Sequence, residues 1–256
     1  MTAPNVRNLI LLGSIGLLCL GCSAIDKFRG GAAPEANNAS TNSTSTTSSP
    51  SSSPGAKTSP CTNKYSPVAD GAVKTYKMSA GGKDTKIVQA YTSGSSEFSE
   101  ETTVGGTTVK HEWKCTAEGL IAAIPGSMMN SSAGQSEPKH ISGVTLPIES
   151  EIRTGKEWKT VYQSSGKSPA GNISTDVTIN NKIVAMDDEV KVPGGTFKAV
   201  KIEALIDVAM KMNGGNVPVP QIKSYIWFAP GVGMVKSMVA EGSLAGGSSM
   251  EYSGDK

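Results

Sequence analysis

The chain has 256 residues, with 24 lysines and arginines against 22 aspartates and glutamates, a formal net charge of +2. No basic block stands out, and nucleic-acid recognition needs a basic face or stripe, so that class is excluded. The four cysteines and two histidines form no zinc-ribbon spacing, and no acidic run has the fixed spacing and glycine of a calcium loop.

Met1 to Asn8 is polar, with one basic residue, Arg7, and Leu9 to Leu20 carries no charge. That run falls short of the roughly 20 residues of a bilayer-spanning helix and fits the roughly 7–15-residue apolar region of a secretory signal. It ends in Leu18-Cys19-Leu20-Gly21-Cys22-Ser23. Cys-x-x-Cys spacing suits a redox pair or half a zinc site, but a redox pair belongs at a strand-to-helix junction inside a folded domain. Leu20-Gly21-Cys22 resembles the lipobox of bacterial lipoproteins, with Cys19 standing where leucine is usual. Cys19 itself is passed over because Leu18, directly before it, is bulky. The resemblance implies a signal peptide over 1–21, cleavage after Gly21, a diacylglyceryl thioether on Cys22 and an acylated new amino terminus. The alternatives are a plainly cleaved signal or a retained anchor. A lipidated Cys22 makes a membrane the first partner, in the cell envelope and facing the periplasm or the exterior. Ser23 lacks the aspartate that resembles an inner-membrane retention signal, which favours the outer membrane.

Residues 22–60 are dominated by serine, threonine and proline. Such a stretch has little to bury and cannot offset the entropy of ordering, so it reads as a disordered tether. Its expected r.m.s. span is roughly 30–37 Å. The remaining 196 residues, 61–256, suffice for one domain with a substantial core. Cys61 and Cys115 remain in an oxidising compartment and are expected to pair; the alternative is two separate buried thiols.

Through this head the dominant period is two. Val109, His111, Trp113 and Cys115 alternate with Lys110, Glu112 and Lys114, the pattern of a half-buried strand. Thr116 to Ile124 reads as one short helical turn stopped by Pro125-Gly126, and Ser127 to His140 as a polar loop. Val177 and Ile179 alternate with Asp176 and Thr178, and Asn180-Asn181 reads as a two-residue turn. Asp187-Asp188-Glu189 reads as a solvated turn, and Val192-Pro193-Gly194-Gly195-Thr196 as a hairpin. The longest alternation, Val200 to Met210, ends at Asn213-Gly214-Gly215-Asn216. Ile222 to Phe228 alternates again, and Ala229-Pro230-Gly231-Val232-Gly233 turns the chain before Met234 to Ala240. Strands joined this closely must be antiparallel. The expected fold is mainly β, a curved antiparallel sheet forming a half-barrel or partly open barrel, with a β-sandwich as the alternative. An echo between Val73-Lys74-Thr75-Tyr76 and Trp158-Lys159-Thr160-Val161-Tyr162 allows two tandem halves, about 61–140 and 141–256.

The strings V-P-G-G-T-F-x-A-V-K at 192–201 and W-F-A-P-G-V-G-M-V-K at 227–236, with Trp113 to Leu120 and Tyr65 to Gly71, resemble a broad group of secreted bacterial proteins and lipoproteins of unknown function. The resemblance implies an antiparallel, partly open barrel or half-barrel; it specifies a fold and not a reaction, and carries over no catalytic residues. Trp227 and Phe228 point to opposite faces of one strand, so one fills the core and the other covers the second face or meets a ligand.

No nucleophile elbow is present, and Ser165-Gly166-Lys167-Ser168 lacks the first glycine and the helix of a phosphate loop. His111 reads as a core residue, and His140 lacks an evident partner. Glu100/Glu101 and Glu149/Glu151 read as charges on loops or strand edges. The expectation is a non-enzymatic, lipid-anchored binding or structural module with no cofactor and no metal, possible partners being other envelope proteins or a lipid. The alternative is a carrier or sensor of apolar ligands, met by Trp227, Met210 and Met212. A hydrolase is the remote third.

Overall fold

The computed structural model describes residues 61, 63–80, 83–93, 96–123, 135–168, 171–241 and 248–255; the signal, Cys22 and the tether lie outside them. The described residues form one antiparallel sheet of 14 strands. In chain order these are β1 Val73–Ala80, β2 Lys83–Ser93, β3 Glu97–Val104, β4 Thr107–Thr116, β5 Gly119–Ala123, β6 Gln135–Ser142 and β7 Leu146–Pro147. They continue as β8 Glu157–Ser168, β9 Gly171–Val192, β10 Gly195–Met212, β11 Gly215–Val217, β12 Ile222–Ala229, β13 Gly233–Glu241 and β14 Ser249–Asp255. Among the described residues the only helical element is a 3-10 turn, Glu149–Glu151.

The sheet runs β6-β8-β9-β10-β12-β13-β14-β1-β2-β3-β4-β5-β7, with β11 beside the end of β10. The last strand, β14, pairs with the first, β1, which joins the early and late parts of the chain into one sheet. Among the described residues the sheet is not closed into a barrel. It curls far enough for side chains to bridge its two ends: Thr160 Oγ1 on β8 donates to the Val144 carbonyl at 2.6 Å, and the Tyr162 hydroxyl donates to the Ala122 carbonyl at 3.1 Å. Thr145 Oγ1 accepts from the Ala122 amide at 2.9 Å and lies 3.1 Å from the Tyr162 hydroxyl.

The alternation does what its period requires. Val200, Ile202, Ala204 and Ile206 are buried along β10, and Val109 and His111 along β4. Ile183, Val200 and Ile202 pack with Phe98, Leu120 and Leu146, and Tyr65 and Val68 from the segment before β1 fill the same cluster. A second cluster joins Tyr76, Met78 and Tyr252 to Trp227, Val235 and Val190. Bulges between Ala199 and Ile202 bend the β9–β10 hairpin, so that its tip reaches β14. There the Gly194 amide donates to the Tyr252 carbonyl at 2.9 Å. A Cβ at Gly194 would stand 2.6 Å from the Tyr252 ring, which explains the glycine in the first motif.

Four sequence expectations are overturned. Asn180-Asn181 is no turn: β9 runs through it, with Asn181 buried and in register with Trp158 and Ala204. Pairing on both sides outweighs the local turn preference of asparagine. Asp187-Asp188-Glu189 lies inside the same strand. The helical turn expected within Thr116 to Ile124 is β5, because Gly119 to Ala123 pairs with β4 and, in part, with β7. The loop expected over Ser127 to His140 is from Gln135 onward the edge strand β6, held by β8; residues 127–134 lie outside the described residues.

Candidate functional site

The turn of the second motif closes over a buried lysine. Lys74, on β1, is 7 % exposed, and its ammonium donates to the Val232 carbonyl. Gly233 follows with φ +97°, and a Cβ there would approach Lys74 Nζ to 2.9 Å. The next residue of the same motif is tied too, since the Tyr76 hydroxyl donates to the Met234 carbonyl at 3.2 Å. On the other side of the turn the Gly231 amide donates to the Lys64 carbonyl at 2.8 Å. Pro230 and its neighbouring glycines therefore set the turn against both β1 and the segment that leads from Cys61.

Beneath Lys74 lies a row of polar side chains on successive strands. Tyr91 of β2 is in register with Glu100 of β3, and Glu100 with His111 of β4. Residues in register share a face. The Lys74 ammonium sits 5.3 Å from the Tyr91 ring centre. Glu100 accepts from Thr102 Oγ1 at 3.0 Å and is hydrogen-bonded to Tyr91, which in turn shares a hydrogen bond with Tyr76. Glu100 keeps some surface as a residue, but its carboxyl is desolvated, and that burial pushes it up to about 7. Burial lowers Lys74, against the pull of Asp255 and Glu100, and burial lowers His111 to about 4. Burial also raises Tyr76 and Tyr91.

The expected site residues lie elsewhere. Cys61 and Cys115 form a disulfide with Cα atoms 5.3 Å apart. Trp227 is buried, and its indole Nε1 donates to Asp188 Oδ2 at 2.7 Å. It is flanked by Lys201 and Lys236, whose ammonium groups stand 5.0 and 5.9 Å from its ring. Glu251 of β14 pairs with Lys236 of β13 at 2.8 Å, and Trp227 of β12 stands in register between Lys236 and Lys201 of β10. Met210 and Met212 are half-buried near the end of β10, opposite Thr175 and Ile173 of β9. Trp227 pairs with Lys201, nine positions along β10 from Met210, so the three residues do not converge. His111 is buried as expected, and His140 Nε2 meets the Gly143 carbonyl at 2.7 Å. Glu100, read as an edge charge, instead faces the interior.

Residues 73–243 match the family model described as DUF3108-like, over more than half of the chain. The chain belongs to the DUF3108-like family. Two solved structures share the fold. A Bacteroides fragilis protein, described as exported and as having a YmcC-like fold, is 13 % identical, with a TM-score of 0.50 over 76 % of this chain and 99 % of its own. A Parabacteroides distasonis protein described as a lipoprotein is 15 % identical, with a TM-score of 0.50 over the same shares. No curated protein matches in sequence.

Both string motifs, Lys74 and Glu100 fall within the DUF3108-like span, while Cys61 precedes it. Chemically, the DUF3108-like cluster is a held donor and a protonatable acceptor. The ammonium is committed to a backbone carbonyl and the carboxyl to hydroxyl donors, an arrangement that fixes a turn. Among the described residues no three His, Cys, Asp or Glu side chains converge in a way that would hold a metal. Sequence reasoning missed Lys74 and Glu100, although both left a signal. Each is a charge at an apolar position of its strand, two residues from Tyr76 and Phe98 respectively.

Proposed function

We propose that this DUF3108-like protein is a lipid-anchored, non-enzymatic module of a bacterial cell envelope, with a binding or structural role. Cys22 carries the lipid, residues 22–60 lift the head off the surface, and the sheet displays it. Where the cell has two membranes, Ser23 favours the outer one. The supporting observation is how the motif residues are used. Gly194, Val232 and Gly233 close the sheet on Tyr252 and Lys74, and the titratable groups they gather are hydrogen-bonded inside the fold. The lipoprotein description of one neighbour points the same way. Globomycin treatment or Cys22→Ser is expected to leave an unprocessed precursor or release the protein from membranes. A variant that stays membrane-bound with unchanged mobility overturns the anchor. The carrier reading has the half-buried Met210 and Met212 in its favour, and native mass spectrometry of the purified protein, with a co-purified lipid as its positive result, decides it.

A further inference from the structure

One end of the sheet projects as an arm. β8, β9 and β10 run on past the core toward residues 168, 171 and 212, with β6 and β11 alongside. Register sorts their side chains onto two faces. Met212 pairs with Ile173, Met210 with Thr175 and Val217, and Val208 with Val177. Val208 packs against the core cluster of Tyr162, Val177 and Ile206, whereas Ile173, Met210, Met212 and Val217 further along are half-buried, so the apolar face of the tip is only partly covered. On the opposite face Lys211 pairs with Ser174, Ser174 with Ser165, and Asn172 with Lys167.

The tip is held in shape. The Asn172 amide donates to Asn213 Oδ1 at 2.9 Å, and the Asn213 amide donates back to the Asn172 carbonyl at 2.8 Å. This tie locks the end of β9 to the end of β10. A groove of about 410 Å³ wraps the tip, lined by Ser165, Lys167, Asn172, Ser174 and Lys211 together with Ile173. Among the described residues the charged groups lining it are the ammonium groups of Lys167 and Lys211, both exposed. Asp176 lies one pair further in on the polar face.

We propose that this tip is a docking surface for an anionic phospholipid bilayer, the lysines and hydroxyls meeting phosphate groups and the methionine face entering the interface. Charge and reach carry the proposal. Two exposed cations on one face of the tip and an apolar strip on the other suit end-on entry into a membrane surface, where each lysine strengthens binding about fivefold and the effect is screened by salt. Cys61 packs in one cluster with Ile183, ten residues along β9 from Ile173, about 33 Å at the rise of a strand. A tether of roughly 30–37 Å r.m.s. span lets the tip meet the membrane that holds Cys22. The proposal rests on the anchored reading, but the test separates the two.

The full processed chain is mixed with vesicles of phosphatidylcholine alone, or with phosphatidylglycerol added, and floated. An environment-sensitive thiol probe is placed by Met212→Cys, or by Thr107→Cys at the exposed β3–β4 turn as the control, and quenched with brominated lipid. Quenching at position 212, stronger with phosphatidylglycerol and absent at position 107, is the expected result. Lys167→Gln and Lys211→Gln should each weaken it about fivefold, and salt should weaken it further. Equal quenching at both positions, or quenching indifferent to both lysines, overturns the docking surface. If the anchor alone fails, the protein does not float with phosphatidylcholine, and lysine-dependent flotation with phosphatidylglycerol then reads the arm by itself.

Discussion

Glu100 and His111 stand in register across β3 and β4, and burial moves them in opposite directions. The Glu100 carboxyl, raised from 4.5 to about 7, binds its proton more tightly folded than unfolded. Its contribution to stability is present below about pH 4.5 and is lost as pH rises to about 7. His111, lowered from 6.5 to about 4, resists a proton that the unfolded chain accepts. Its contribution is present above about pH 6.5 and is lost as pH falls to about 4. Between about pH 4.5 and 6.5 the two slopes oppose, each at most about 1.4 kcal/mol per pH unit. Urea midpoints from pH 4 to 8 should therefore separate the variants. Relative to wild type, Glu100→Gln should lose stability more steeply on acidification, and His111→Gln on alkalinisation. Parallel profiles for all three proteins would refute the assignment. Of this row, only His111 was legible in the sequence, as a residue of an apolar face. Glu100 was hidden by its neighbour Glu101: a pair of carboxylates reads as surface, and the register with Tyr91 and His111 turns Glu100 inward while Glu101 stays exposed.

At the scale of elements, the ends of the sheet meet through side chains where a barrel would have a backbone ladder. Tyr162 is the hinge of that contact, buried, with its hydroxyl between the Ala122 carbonyl and Thr145 Oγ1. Tyr162→Phe keeps the ring and deletes the link. Its partners are half-buried, and Thr145 Oγ1 keeps the Ala122 amide, so the variant should be less stable by about 1 kcal/mol, the net worth of one hydrogen bond. Its fast amide exchange should concentrate at Ala122 and residues 143–146, and an exchange increase spread evenly over the sheet would argue against a bridging role. The strands on either side of this contact were read unequally well. β4, β10 and β12 were legible because one face of each is apolar. β5 and β6 were not: β5 opens on a glycine and is only five residues long, and β6 is a polar edge strand that owes its existence to the ladder with β8. The run through Asn180-Asn181 was misread for the same reason, since neighbours on both sides, and not its own residues, make it a strand.

For the molecule as a whole, periodicity was enough for an antiparallel sheet but silent on its order. The pairing of β14 with β1 brings residues 249–255 beside 73–80, a contact set by cross-strand partners such as Tyr76 and Tyr252 and invisible to any local pattern. The disulfide is the second long-range tie, and it fixes where force enters the fold. Cys61 and Cys115 are 54 residues apart, and the bond links the start of the head to β4. Closing a loop of that length stabilises by about 4 kcal/mol in the chain-entropy model. Without it, the segment before β1 is held by the hydrogen bonds at Lys64 and Asn63 and by the burial of Tyr65 and Val68. Cys61→Ser combined with Cys115→Ser should therefore lower the urea midpoint by a shift of that order or less. The sharper reading is mechanical. When the chain is stretched from its two ends, the intact bond shields the segment between the cysteines, including all of β1, β2 and β3, from extension. Reduction should then lengthen the fully unfolded chain by about 180–190 Å, at roughly 3.3–3.6 Å per residue. An unfolding length that is the same with and without reductant would mean the bond is absent from the protein under load. Without the bond, a load applied at residue 61 would peel the sheet from β1 inward, strand by strand, where the bonded head passes it directly to β4.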